Sequence, residues 1–172
     1  LIGGHARLGE YISQIADYGF ESFQINFWST IPEDVDLPKL ADDVFAAIGD
    51  RDIVIGALGL YGNPLTENEV GIQGRKDWER LIDAAELFKT DIVGGFTGRV
   101  PGKSVNDNIP RFTEVWAPLA EQAEQKNVRI AWENCPMGGD WRDGDWNLAF
   151  NPDAWELLFD AVKSDNIGLE WE

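Results

Sequence analysis

The chain holds one cysteine, one histidine and one methionine among 172 residues, and its 14 Lys and Arg are outnumbered by 31 Asp and Glu. A single thiol, Cys135, excludes an intrachain disulfide and fits a reducing compartment, so a cytoplasmic protein is expected. With His5 as the only imidazole, any further histidine ligand to a metal must come from outside this sequence. The net charge of -17 and pI of about 4.2 suit a solvated acidic surface. They match nucleic acid or an anionic membrane poorly, so neither is an expected partner. No apolar run reaches the roughly 18 residues of a membrane-spanning helix; the longest covers 53–61. The turn at Gly3-Gly4-His5 is not the Gly-x-Gly-x-x-Gly fingerprint, and no Walker loop is present, which removes the main support for a nucleotide-binding fold.

What is present is a repeat. Hydrophobic residues make up 44% of the chain, enough for a globular core. Five β-rich runs occur at 22–28, 53–60, 92–96, 128–132 and 167–171, and Leu1-Ile2 reads as the tail of an earlier strand. Between them lie segments of helical periodicity at 7–18, 40–48, 78–88, 109–125 and 153–162. The fourth is expected to start through Asn108 and Pro110, the fifth at Asn151-Pro152. Alternating β and α at this spacing predicts parallel strands joined by crossover helices. A closed (β/α)8 TIM barrel has eight strands and roughly 250 residues. The expectation is therefore an incomplete barrel of about five to six βα units, a single partial domain over residues 1–172, with the start of the first strand and the C-terminal units missing and the fragment itself inactive.

Two runs close on acids, Trp132-Glu133-Asn134-Cys135-Pro136 and Leu169-Glu170-Trp171-Glu172. A strand interior does not tolerate an ionised group without a partner, whereas the C-terminal ends of barrel strands form the functional face. Glu133 and Glu172 are therefore the candidate catalytic acids, converging on one site. Glu170 is a deeper interior acid or a second polar contact. Cys135 reads as a pocket-lining thiol, since His5 is remote in sequence and no base stands beside it. Candidate substrate contacts lie on the loops of the same face: His5, Trp28, Asn63, Arg99, Trp141 and Trp146. His5 reads alternatively as a capping residue, and Arg99 as half of a structural salt bridge. The indoles of the loop 138–146 either stack on a sugar face or pack over the barrel rim.

The segment Ile130-Ala131-Trp132-Glu133-Asn134-Cys135-Pro136-Met137-Gly138 resembles the fifth-strand motif of the sugar phosphate isomerase/epimerase family, the xylose-isomerase-like barrels. Asn63-Pro64-Leu65, Phe96-Thr97-Gly98-Arg99 and Asn166-Ile167-Gly168-Leu169 look like the matching segments of its third, fourth and sixth strands. The resemblance implies one divalent metal ion (Mn, Mg, Co or Zn), with Glu133 and Glu172 as two of its ligands and a later His and Glu as the others. Many relatives carry His where this chain has Thr66. The implied chemistry is isomerisation or epimerisation of a sugar or sugar phosphate, by proton transfer next to a carbonyl through an enediolate. Alternatives on the same scaffold are a non-catalytic sugar-binding homologue and a metal-dependent endonuclease or hydrolase; apurinic-site endonucleases use several more histidines than this chain has. A homo-oligomer is compatible with the family.

Overall fold

Six parallel strands, each hydrogen-bonded to the next in chain order, carry helices on their outer side in the computed structural model. It describes residues 2–3 and 7–171. The elements are β1 (Ile2–Gly3), α1 (Leu8–Ile15), β2 (Ser22–Trp28), α2 (Leu37–Ile48), β3 (Val54–Tyr61), α3 (Glu69–Ala84), β4 (Ile92–Gly95), α4 (Val105–Lys126), β5 (Arg129–Glu133), α5 (Pro152–Ala161) and β6 (Ile167–Glu170). Among the described residues β1 and β6 do not pair with each other, so the barrel is open. Among them too, no helix is long and apolar enough to cross a membrane.

Side chains alternate between the two faces of each strand. On β2, Phe23, Ile25 and Phe27 are buried in the hydrophobic core with the helices, while Gln24, Asn26 and Trp28 take the other face. That second face is the barrel interior. Gln24 on β2 hydrogen-bonds Glu170 on β6, four strands away, which requires the sheet to curl toward it. An irregularity between Phe23 and Gln24, where Gly56 is the unpaired residue, sets the register so that Asn26 faces Gly59 and Trp28 faces Tyr61.

The core between sheet and helices is aromatic. Trp116 of α4 packs edge-on against Trp78 of α3 at 4.9 Å and Trp132 of β5 at 5.4 Å, and Trp132 stacks on Phe159 of α5 at 5.7 Å. All three indoles are fully buried.

The strand expectations hold to within a residue or so, but three helices start earlier than their apolar periodicity shows, α2 at Leu37 and not 40 behind its Asp36 cap. α3 begins at Glu69, not 78, because Asn68 caps it by accepting from the Gly71 amide at 2.8 Å; its first turns are mostly polar and carry little periodic signal. α4 begins at Val105, not 109. Ser104 is its cap, and Pro110 lies inside the helix with Pro118, each removing one main-chain hydrogen bond.

Candidate active site in the barrel interior

Glu133 is the last residue of β5, and its register partner on β6 is Glu170. Both carboxylates therefore project to the same interior face at the C-terminal ends of neighbouring strands. Glu170 is held by two donors from other strands. The Tyr61 hydroxyl lies 2.9 Å from both of its oxygens, and the Gln24 amide donates to it at 2.9 Å and to the Tyr61 oxygen at 2.8 Å. Residue 94 leaves room for this group only as glycine: a Cβ there would stand 2.6 Å from Glu170 Oε2. Gly59, its partner on β3, serves Asn26 and Tyr61 in the same way, with a Cβ 2.2 Å from Asn26 Oδ1 and 2.7 Å from Tyr61 Cε2. Asn26 is 8% exposed, and among the described residues neither its side-chain amide nitrogen nor its oxygen has a partner. Leaving such a group unsatisfied costs about 1–3 kcal/mol.

Burial, and then the charge of Glu170, push the Tyr61 phenol well above its ordinary value; the charge of Glu133 adds to the shift. Tyr61 therefore stays protonated and donates. Its folded-state value is raised above the unfolded value of about 10, so its contribution to stability is complete below about pH 10 and is lost as pH rises beyond it. Stability to urea is expected to fall above about pH 10 in the native protein and less steeply in Tyr61→Phe, read from unfolding midpoints across that range.

The main chain of Glu133 is fixed from two sides. The Asn134 amide donates to Glu170 O at 3.2 Å, continuing the ladder. Asn147, fully buried, donates from Nδ2 to the carbonyls of Glu133 and Cys135, both at 2.8 Å. Its Oδ1 accepts from the Thr97 amide at 3.1 Å and the Thr97 hydroxyl at 2.7 Å, and the Thr97 carbonyl accepts from Trp116 Nε1 at 2.8 Å. One amide side chain thus fastens the end of β5 to the end of β4.

Above the polar groups stands an aromatic wall. Tyr61 meets Phe96 edge-on at 5.2 Å, Phe96 meets Trp28 at 6.2 Å, and Trp28 meets Trp146 at 6.0 Å. Trp28 is 62% exposed, so an indole face is open at the mouth. Glu133 and Glu170 are paired at the ends of β5 and β6, and Trp28 and Trp146 join the same interior face through Phe96 and Tyr61. Trp141 lies apart from this wall, half-buried against the hydrophobic core.

Asn63 and Arg99 are built into the loop scaffold. Arg99 is fully buried and donates to the Asp140 carbonyl at 2.6 Å and to the Lys103 carbonyl at 2.9 Å. These partners are carbonyls, not the salt-bridge carboxylate or the substrate contact expected from sequence. Burial pulls its guanidinium below the ordinary value, while Asp143, Asp140 and Asp145 act in the other direction. Asn63 donates to the carbonyls of Arg99 and Asp145, both at 2.6 Å, and accepts from the amides of Arg99 and Leu65. His5 and Glu172 lie outside the described residues. Sequence reasoning missed Tyr61, Gln24, Asn26 and Asn147. Strand alternation gives a signal for the first three; nothing local marks Asn147.

Among the described residues no three His, Cys, Asp or Glu side chains are grouped to hold a metal. The donors present are nonetheless hard carboxylate oxygens, the type that Mg and Mn prefer.

Residues 12–172 match the family model described as a xylose isomerase-like TIM barrel. Among solved structures, the chain is similar to an L-ribulose 3-epimerase (TM-score 0.69, 20% identity), covering 98% of this chain and 55% of that one. It is similar to a D-psicose 3-epimerase determined in the presence of D-fructose (TM-score 0.65, 16% identity, 98% of this chain and 59% of that one). A xylose isomerase-like TIM-barrel protein from Mycobacterium smegmatis in complex with magnesium gives TM-score 0.65 at 14% identity, over 94% of this chain and 55% of that one. The chain thus spans between 55% and 59% of the length of these three structures. Comparison with curated protein sequences gives no match.

Proposed function

Because the chain belongs to the xylose isomerase-like TIM-barrel family, we propose that it forms the larger part of a sugar isomerase or epimerase whose reacting carbon sits over Glu133. The observation that carries this reading is the placement of Glu133 at the end of β5 beside Glu170, whose partner Tyr61 continues into the Phe96–Trp28–Trp146 wall. A carbohydrate ring or chain offers apolar C–H faces and polar hydroxyl edges, and the site offers indoles and carboxylates in matching positions.

In this reading a carboxylate removes the proton on the carbon next to the substrate carbonyl. The C–H electron pair moves into an enediolate. Return of a proton to the opposite face of the same carbon gives the epimer, and return to the neighbouring carbon gives the isomer. Glu133 and Glu172 would hold a divalent ion of the Mg, Mn, Co or Zn class, with further ligands from outside this chain. Such an ion supplies Lewis-acid polarisation of the carbonyl when bound. Trp28 and Trp146 bind the apolar face of the sugar and exclude water, and the Asn147 hydrogen bonds keep the Glu133 main chain in place while the proton moves.

The test is solvent exchange. The full-length protein, loaded with manganese or magnesium in deuterium oxide, is expected to incorporate deuterium into D-fructose or D-allulose at the carbon next to the carbonyl. Chelation should stop the exchange and added metal restore it. A metal-replete, folded full-length protein that exchanges no deuterium into ketohexoses or their phosphates would refute the reading.

A further inference from the structure

Glu170 is a carboxylate that the proton chemistry above does not use, yet the interior is arranged around it. Its donors come from two other strands, Tyr61 of β3 and Gln24 of β2, so it is drawn across the interior from β6. The space it enters exists because residue 94 has no side chain. An ionised carboxylate has about four acceptor positions. Two neutral donors do not fill them, and they fix its direction. Asn26, on the same face as Gln24, is an independent sign that a ligand belongs here: nine-tenths buried, with two donors and an acceptor that meet no partner among the described residues. It shares the space over Gly59 with the Tyr61 ring, whose hydroxyl holds Glu170.

Building on the sugar reading, we propose that Glu170 and Asn26 form a hydroxyl-binding subsite beside Glu133: the carboxylate accepts, and the amide exchanges, hydrogen bonds with hydroxyls of a polyhydroxylated chain. Tyr61 and Gln24 are positioning residues that act through Glu170. The subsite reads hydroxyls next to the reacting carbon, so it selects polyols over deoxygenated analogues.

Binding and turnover are separated by working in full-length Glu133→Gln, which leaves the sugar unchanged during titration with D-fructose by calorimetry. Adding Glu170→Gln is expected to weaken binding about 10–100-fold, the loss associated with one charge-assisted hydrogen bond. Tyr61→Phe removes a single oxygen and should weaken binding by a smaller factor, with no further loss on top of Glu170→Gln, because it acts only through that carboxylate. Asn26→Leu should raise Tm, by removing an unsatisfied buried amide, and weaken binding at the same time; a purely structural amide would move Tm alone. In the catalytic background, Glu170→Gln should raise KM with metal content unchanged. Folded Glu170→Gln and Tyr61→Phe proteins with unaltered Kd and KM would overturn the subsite while leaving the sugar reading intact. A native protein that neither exchanges deuterium nor binds the ketohexose removes both.

Discussion

Glu133→Gln in the full-length protein is expected to abolish sugar turnover with the fold intact. The amide preserves the shape of the side chain and removes its charge and its capacity to take a proton. Loss of one preorganised electrostatic stabiliser costs about 10²–10³ in rate, and loss of a positioned acid-base group about 10²–10⁴. A rate at least 10²-fold below native is therefore expected even for protein saturated with metal. The scaffold should survive because Asn147 and Glu170 hold residue 133 and its neighbour through the main chain, which the substitution does not touch. The measurement is kcat/KM on the exchanging ketose at saturating metal, with near-ultraviolet circular dichroism as the control for packing. Near-native turnover in a metal-replete variant would take Glu133 out of the mechanism.

Trp116→Ala is expected to have the largest effect on stability. The indole is fully buried and packs against Trp78, Phe112 and Trp132. Truncating a buried Trp costs about 3–5 kcal/mol, a large share of the 5–15 kcal/mol that holds a typical domain together. Its Nε1 also donates to the Thr97 carbonyl, one step from Asn147 and two from Glu133. The variant should therefore lose activity at temperatures where it is still folded. Urea unfolding measures the first effect. Trp116→Phe separates the two, since it keeps most of the buried area and forfeits one hydrogen bond, about 1 kcal/mol. A loss under about 1 kcal/mol for the alanine variant would show that the aromatic column packs far less tightly than its 4.9 Å and 5.4 Å ring separations imply.

The alternation of β and α segments, the parallel sheet and the open barrel were legible in the sequence because each rests on local periodicity and element order. The position of Glu133 at a strand end was legible for a related reason: an acid after an apolar run, followed by turn residues, marks where a strand closes. The start of α3 was not legible, since its first turns are polar and its cap, Asn68, resembles any loop asparagine. The Glu170 cluster was hidden more deeply. It depends on a register across three strands and on curvature of the whole sheet, neither of which is written in any one segment. Arg99 misled because an arginine in a functional-face loop of an acidic chain suggests a ligand contact, whereas it bonds the Lys103 carbonyl of its own loop and the Asp140 carbonyl of a loop some forty residues on.

Asn147 follows Trp146 directly in the chain, and this adjacency bears on how substrate gets in and out. A flap that swings over a ligand needs one free arm and a hinge. The loop carrying Trp146 is moored at Asp140 by Arg99, at Asp145 by Asn63, and at its root by the two hydrogen bonds to the Glu133 and Cys135 carbonyls. Swinging it outward would break several of these together and drag the end of β5 along. On the proposed reading the arrangement is a fixed cup and not a closing jaw: a sugar would enter past the exposed Trp28 indole, between walls that already stand in place.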